Sequence, residues 1–186
     1  MDKHKLEKGK LLLAEPFMDE SVFQRCAIFL CELHKDGALG FIINKQLDFI
    51  ITDLIKDFPE FNAAVFYGGP VQTDTIHYIH TKGDLLEDSI EVQKGIYWGG
   101  DFNRLKFLIQ NELIKPADIR FYLGYSGWTE GQLQEEVKTG SWIISESDIN
   151  YIFTRKWGGL WKRILNDAGG TKAVIANMDG IDFQLN

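Results

Sequence analysis

The fold of this chain is decided by residues 124–137, which read GYSGWTEGQLQEEV. The five residues before this stretch, Ile119–Leu123, are mostly aromatic and aliphatic, as is typical of a β-strand. Gly124 and Gly127 then allow a turn, because glycine adopts positive φ values without strain. The pattern predicts a strand that ends in a tight glycine turn.

A helix is predicted directly after this turn. Thr129 and Gln132 have the spacing of a capping box, in which the two side chains satisfy free backbone groups at a helix start. Leu133 and Val137 lie four residues apart, on one face of the predicted helix. Gly140 stands where glycine commonly ends a helix.

The predicted strand-to-helix turn has two interpretations. Its backbone N–H groups and the positive end of the helix would suit an anion. A well-packed connection, with Trp128 against the core, explains the same residues without a ligand. Glu135 and Glu136, which follow on the helix, are interpreted as a solvated surface.

Along the rest of the chain, short apolar strands occur before, between and after a few helices. Residues 101–113 form the clearest helix, because apolar residues recur there at helical spacing. We find no internal repeat and no linker. This mixture predicts an α+β fold with a mixed sheet. We expect a flexible N-terminus at 1–8, one domain at 9–170 and a loosely packed segment at 171–186.

Composition limits the classes of function. The net charge is −7 and the pI is about 5.1, which disfavours direct binding to nucleic acid because such binding depends on Lys and Arg. The clearest local basic patch is the pair 155–156 together with the pair 162–163. The N-terminus lacks the apolar core of a signal peptide, and no apolar run is long enough to span a bilayer. We therefore expect a cytoplasmic protein.

The cysteines and histidines do not form a motif for catalysis or metal binding. Cys26 and Cys31 are five residues apart in a predicted strand, so they face opposite sides and fit buried, reduced thiols. His77 and His80 should also face opposite sides, one buried and one at the surface. Ser126 resembles the nucleophile of a hydrolase, but no histidine follows it in the chain. We expect no metal and no cofactor.

Several segments together resemble the YqgE/AlgH family of bacterial proteins. They are residues 12–16, the segment 23–44 that ends in Asn44, Gly68–Val71, the pair Ile79–His80, and 124–136. The resemblance implies one domain with a mixed, bifurcated or partly barrel-like β-sheet surrounded by helices. It implies no established biochemical activity, although one branch of the family is labelled a transcriptional regulator.

The resemblance and the glycine turns together suggest a ligand-binding site. Its expected members combine hydrogen-bonding amides, backbone groups at glycine turns, one imidazole and an apolar wall: Asn44, Gly68, Gly69, Pro70, His80, Gly127, Trp128 and Gln132. We interpret the chain as a non-enzymatic regulatory domain for a small molecule or a partner protein. Two alternatives stay open: a regulator of transcription that acts through a partner, and an enzyme with a pocket near His80. Tight internal packing explains Gly68 and Gly69 equally well.

Overall fold

The computed structural model describes residues 5–178, which contain ten β-strands and six α-helices. The strands are β1 (Leu11–Ala14), β2 (Ala27–His34), β3 (Gly37–Ile42), β4 (Gln46–Ile50), β5 (Ala64–Tyr67), β6 (Val71–His80), β7 (Ile90–Gln93), β8 (Ile96–Trp98), β9 (Ile119–Thr129) and β10 (Trp142–Ser145). The helices are α1 (Ile51–Leu54), α2 (Phe102–Gln110), α3 (Gln132–Lys138), α4 (Ile149–Ile152), α5 (Leu160–Ala168) and α6 (Gly170–Ala176). A single 3-10 turn, Pro116–Asp118, precedes β9.

All ten strands belong to one branched sheet. The main path runs β10-β1-β2-β3-β9-β6-β8-β7, and β5 branches from β9 and carries β4. Every pairing is antiparallel except that of β5 with β9. The path does not return to its first strand, so the sheet stays open. The predicted α+β class with a mixed, bifurcated sheet is confirmed.

Strand β9 is the centre of this sheet, and here one local prediction was wrong. The chain does not turn at Gly124–Gly127; β9 continues through Thr129 because residues 126–129 pair with β3. Gly124 does have a positive φ of 66°, but it bends the strand without ending it. The turn lies at Gly131, whose φ is 74°. Residues 124–127 are therefore part of a strand, and not the glycine turn before a helix that the anion-binding interpretation required.

Three apolar clusters fill the space on the two faces of the sheet. Helix α2 covers one of them through Leu105 and Leu108, and helix α5 covers a second through Leu160 and Ile164. Helix α3 covers the third through Leu133. The amphipathic helices follow from the sequence, because apolar residues at helical spacing give each helix a single face to bury.

Two helix ends, the start of α2 and the end of α3, agree with the local signals, while α2 ends at Gln110 and not at residue 113. Asp101 accepts a hydrogen bond from the Arg104 amide N–H (2.6 Å) at the start of α2, as a helix-capping aspartate does. At the end of α3, Gly140 N–H donates to the Val137 carbonyl and Ser141 N–H donates to the Glu136 carbonyl. This pair of bonds, with the positive φ of Gly140, is a Schellman motif and confirms the predicted helix end.

The two ends of the chain are described only in part. Residues 1–4 and 179–186 lie outside the described residues, so much of the expected N-terminal and C-terminal segments is not covered. Within residues 171–178 the chain continues α6, in which Ala176 is buried. Across residues 5–178, no helix is long and apolar enough to cross a bilayer.

Candidate functional site

The eight residues that the sequence analysis singled out lie in four places. Gly127, Trp128 and Gln132 lie at the end of β9 and the start of α3. The segment Gly68–Pro70 links β5 to β6. The last two residues are Asn44, which follows β3, and His80, which ends β6.

The Trp128 indole is part of a hydrogen-bonded network centred on Glu136. The Nε1–H groups of Trp128 and Trp142 both donate to Glu136 Oε2, at 2.8 Å and 2.7 Å. Gln132 Nε2 donates to the other carboxylate oxygen at 2.9 Å. The two indole rings meet edge to face, with centroids 5.8 Å apart. One carboxylate thus fastens α3 to both β9 and β10.

The prediction for Glu136 was wrong. A solvated helix surface was expected for Glu135 and Glu136, and only Glu135 fits it, since it is exposed and faces Lys138. The side chain of Glu136 is half-buried and accepts three hydrogen bonds. The available signal was the spacing of four residues from Gln132, which places Glu136 on the same face of the predicted helix.

Gln132 also holds the turn between β9 and α3. Its Oε1 accepts hydrogen bonds from the Thr129 amide N–H (3.0 Å) and hydroxyl (3.2 Å). This is one half of the predicted capping box. The other half is absent, because Thr129 belongs to β9 and Gly131 takes the helix-capping position. Both ends of the Gln132 amide are therefore engaged within the protein.

Gly68 and Gly69 cross β9 from one edge to the other. At Phe121 and Leu123, β9 pairs with β5 on one edge and with β6 on the opposite edge. The three residues between β5 and β6 must therefore pass over the strand. A Cβ on Gly68 would lie 2.2 Å from the Gly124 carbonyl oxygen, and one on Gly69 would lie 2.2 Å from the Tyr125 carbonyl carbon. Only glycine fits, so the tight-packing interpretation accounts for both residues.

Asn44 joins the start of β2 to the end of β3. Its Oδ1 accepts from the Ala27 amide N–H and its Nδ2 donates to the Arg25 carbonyl, both at 2.9 Å. Arg25 has a positive φ of 51°, which a non-glycine residue adopts only when its surroundings hold it there. The Asn44 amide provides such support, and both of its ends are used.

His80 is fully buried and holds backbone groups. Its Nδ1 accepts from the Lys82 amide N–H (3.2 Å), which leaves the proton on Nε2 to donate to the Gly99 carbonyl (2.9 Å). The ring stacks on Tyr97, with centroids 5.8 Å apart. Burial lowers the pKa of the imidazole, while the bond to Gly99 acts in the opposite direction. Both nitrogens are occupied, and proton transfer would break one of these bonds.

The two cysteines face different clusters, as predicted. Cys26 lies in the cluster under α3 and Cys31 in the cluster under α5, and both are fully buried. Burial raises the pKa of the Cys26 thiol to about 12 and raises that of Cys31 well above its usual range. Among residues 5–178, no three His, Cys, Asp or Glu side chains are grouped as a metal site.

An open cleft, which we call the apolar groove, lies on one face of β3 and β9. Leu39, Val71 and Tyr125 form its floor, and Glu32 and Asp36 stand at its rim. Its volume is about 530 Å³. The floor residues are half-buried, so apolar surface remains in contact with water.

A second cleft, which we call the acidic recess, lies beneath the loop that follows β1. The carboxylates of Glu15, Asp19 and Glu20 line it, together with the aromatic rings of Phe23 and Trp142. Its volume is about 330 Å³. Gly127 and Trp128 line both this recess and the apolar groove. The two clefts therefore meet at the end of β9, and only three of the eight predicted residues, namely these two and Gln132, lie there.

A third cleft of about 580 Å³, between β10 and the last two helices, was not predicted. Several of its polar side chains have partners within the protein: Tyr151 donates to Asp167 (2.8 Å), and Lys172 Nζ donates to the Ile144 carbonyl (2.6 Å). These residues come from separate elements without a shared motif, so no sequence signal marked the cleft.

Comparison with known proteins decides the family. The family model described as AlgH-like matches residues 11–173. The chain belongs to the AlgH-like family. The chain is similar to a protein of Chlorobium phaeobacteroides named UPF0301 protein, which is 41% identical over 173 residues, or 93% of this chain and 92% of the relative. A UPF0301 protein of Cytophaga hutchinsonii is 37% identical and covers 97% of this chain and 100% of its own length.

Two solved protein structures share this fold. The solution structure of AlgH from Pseudomonas aeruginosa matches with a TM-score of 0.74 at 23% identity, over 93% of this chain and 94% of that one. The crystal structure of protein DIP2367 from Corynebacterium diphtheriae matches with a TM-score of 0.77 at 17% identity, over 95% of this chain and 94% of the other. At these identities the likeness concerns the fold alone.

Proposed function

We propose that this AlgH-like protein is a non-enzymatic cytoplasmic domain that binds a small molecule or a partner protein and acts as a regulator. One observation carries the proposal: the apolar groove and the acidic recess meet at Gly127 and Trp128. A ligand at this point would contact residues from β3, β6, β9 and α3 together. A regulatory effect on transcription would then pass through the bound partner.

The size and lining of the clefts support binding. Small-molecule sites have volumes of roughly 300–1,000 Å³ and combine an apolar lining with a few polar groups. The apolar groove has this character, since the carboxylates of Glu32 and Asp36 border the apolar floor at Leu39 and Val71. The recess adds an aromatic wall and further carboxylates.

The chemistry of the clefts supports a role without catalysis. A catalytic site pairs a nucleophile or an acid with a base in a cleft, and usually shifts the pKa of one of them. His80 and the two thiols, Cys26 and Cys31, do have shifted pKa values, but all three are fully buried and line neither the groove nor the recess. Burial alone explains the direction of their shifts.

A thermal-shift screen with one blocking variant tests this proposal. The purified protein is screened against nucleotides, cofactors and central metabolites. A ligand at about 100 times its dissociation constant adds roughly 2.7 kcal/mol of stability, which is a melting shift of several degrees. Gly127→Leu places a side chain where both clefts meet, and its Cβ would contact only side-chain atoms, those of the Tyr125 ring at 3.1 Å and of Val71 at 3.7 Å.

The matched control is Gly158→Leu, because no atom lies within 4 Å of a Cβ at Gly158 and this residue lines neither cleft. We expect a hit to be lost in Gly127→Leu and kept in Gly158→Leu. A hit that both variants retain would place the binding site elsewhere and contradict the proposal. A screen without hits would exclude the small-molecule form of the proposal and leave a partner protein as the ligand.

A further inference from the structure

The strand edge between the two clefts is open. Strand β6 pairs with β9 only as far as Tyr125, which lies opposite Val71. Before Val71 comes Pro70, which has no N–H to donate, and there the chain turns to cross β9. Beyond Tyr125, residues 126–129 pair with β3 on the other edge. In the described part of the chain, no strand lies beside 127–129 on the β6 side.

The backbone of Gly127 faces this open edge. The Thr129 amide N–H donates to the side chain of Gln132, which lies outside the sheet. Residues two apart in a strand direct their N–H and C=O groups to the same edge, so those of Gly127 point the same way as those of Thr129. Both residues are exposed. The edge thus offers the main-chain N–H and C=O of Gly127 to an added strand, whereas the Thr129 N–H is already bonded to Gln132.

The two clefts flank this edge on opposite faces of the sheet. Tyr125 and Leu39, in the apolar groove, pack against the cluster under α5. Trp142 and Phe23, in the acidic recess, pack against the cluster under α3. Successive side chains of a strand point to opposite faces. An added strand would therefore place alternate side chains in the groove and in the recess.

The charged side chains that line the two clefts beside this edge are acidic. Carboxylates of Glu32 and Asp36 border the groove, and those of Glu15, Asp19 and Glu20 line the recess. No Lys or Arg of the described residues lines either cleft. Opposite charge on a partner raises the association rate and favours the correct register.

We propose that an extended segment of a partner protein, with apolar and basic residues in alternation, adds to the sheet at the open edge of β9. Its apolar side chains would lie on Leu39 and Val71, and its Lys or Arg side chains would enter the recess beside Asp19 and Glu20. Strand addition of this kind obtains affinity from the main chain and specificity from the alternate pockets. The inference rests on the proposed function and adds the chemistry of the partner.

The test uses the capped peptide Ac-Arg-Leu-Arg-Leu-Arg-NH2, titrated into the isotopically labelled full-length protein and followed by NMR. We expect saturable shifts of the Gly127 and Thr129 amide signals and of the Trp128 indole signal. A peptide of the same composition in the order Arg-Arg-Leu-Leu-Arg should bind at least tenfold more weakly. A peptide N-methylated at its second leucine cannot donate a main-chain hydrogen bond there, and its affinity should also fall at least tenfold.

A charge-matched pair of variants completes the experiment. Asp19→Asn with Glu20→Gln removes two charges from the recess and should lower the affinity for the alternating peptide at least fivefold. Asp48→Asn with Glu60→Gln removes two exposed charges that line neither cleft and should change the affinity less than twofold. Equal effects of the two pairs would show attraction by net charge alone and overturn the inference.

The remaining outcomes separate this inference from the proposed function. Equal binding of the alternating and the rearranged peptide would exclude strand addition. If neither peptide binds while a metabolite still shifts the signals of Gly127 and Trp128, the binding domain stands and its ligand is a small molecule. If Gly127→Leu changes neither peptide nor metabolite binding, both proposals are contradicted.

Discussion

The hydrogen bonds that converge on Glu136 should make this residue one of the most sensitive polar positions in the protein. Glu136→Ala removes the acceptor of the Trp128 and Trp142 indole N–H groups, whose residues are only 7% and 4% exposed. A buried donor left without an acceptor costs about 1–3 kcal/mol. Two such donors give about 2–6 kcal/mol, and because water reaches the half-buried Glu136 position, we expect a loss of about 3 kcal/mol.

Chemical denaturation measures this loss, with tryptophan fluorescence as the signal. For a domain of this size, 1 kcal/mol corresponds to roughly 2–4 °C, so the melting temperature should fall by about 6–12 °C. The indole N–H signals of Trp128 and Trp142 in NMR spectra should move at the same time, because both lose a charged acceptor. Glu136→Gln keeps one acceptor oxygen for the indoles and should cost less than Glu136→Ala.

The control is Glu135→Ala, on the same helix but on its exposed side. Its salt bridge to Lys138 is 3.4 Å long and solvent-exposed, and such pairs contribute about 0–1 kcal/mol. Both substitutions introduce the same residue one position apart, so helix propensity cancels in the comparison. If Glu136→Ala costs no more than Glu135→Ala, the argument that this network fastens α3 to the sheet is refuted.

Three further predictions follow from the glycine crossing and from the buried titratable groups. Gly68→Ala should cost more than about 3 kcal/mol or prevent folding, because its Cβ would lie 2.2 Å from a carbonyl oxygen, while Gly158→Ala should change the melting temperature by less than about 2 °C. Alkylation by iodoacetamide at about pH 8, followed by mass spectrometry, should leave Cys26 and Cys31 unmodified in the native protein and modify both in urea, because burial raises both pKa values. Native labelling at the rate found in urea would contradict this. Because burial lowers the His80 pKa, the unfolded chain binds more protons as the pH falls through 6.5, so the free energy of unfolding should decrease as the pH is lowered from about 7.5 to about 5.5. Urea titrations should show a smaller decrease for His80→Gln, and an equal decrease would exclude His80 as a cause.

Local signals predicted the elements of the fold well. Helix α2 follows from apolar spacing, and the end of α3 follows from Gly140. The prediction failed where a distant segment decides the conformation. Glycines in a short stretch favour a turn, but at Gly124–Gly127 the pairing of β9 with β3 keeps the chain extended. No property of these residues alone reveals which strand lies beside them.

Prediction of the candidate site from the sequence failed for the same reason, because distant segments decide it. The motif residues were identified from their types, yet several are engaged in internal contacts that only the tertiary structure reveals. Asn44 supports a strained residue, Gly68 lets one strand cross another, and His80 holds two backbone groups. The apolar groove depends on Leu39 and Val71, which are far apart in the chain and have no distinguishing motif. A cleft is a property of assembled elements, so its lining could not be read from spacing.

The central position of β9 also has a consequence for synthesis of the protein on the ribosome. Strands β3, β5 and β6 all take β9 as a neighbour, but β9 begins only at Ile119. At roughly 5–20 residues per second, about 4–15 s separate translation of Ile42, the end of β3, from that of Ile119. From the translation of His80, the end of β6, until that of Ile119, the nascent chain contains three strands whose shared partner does not yet exist. Completion of the sheet is therefore a late event of translation, and the chain depends on protection from aggregation until β9 has emerged.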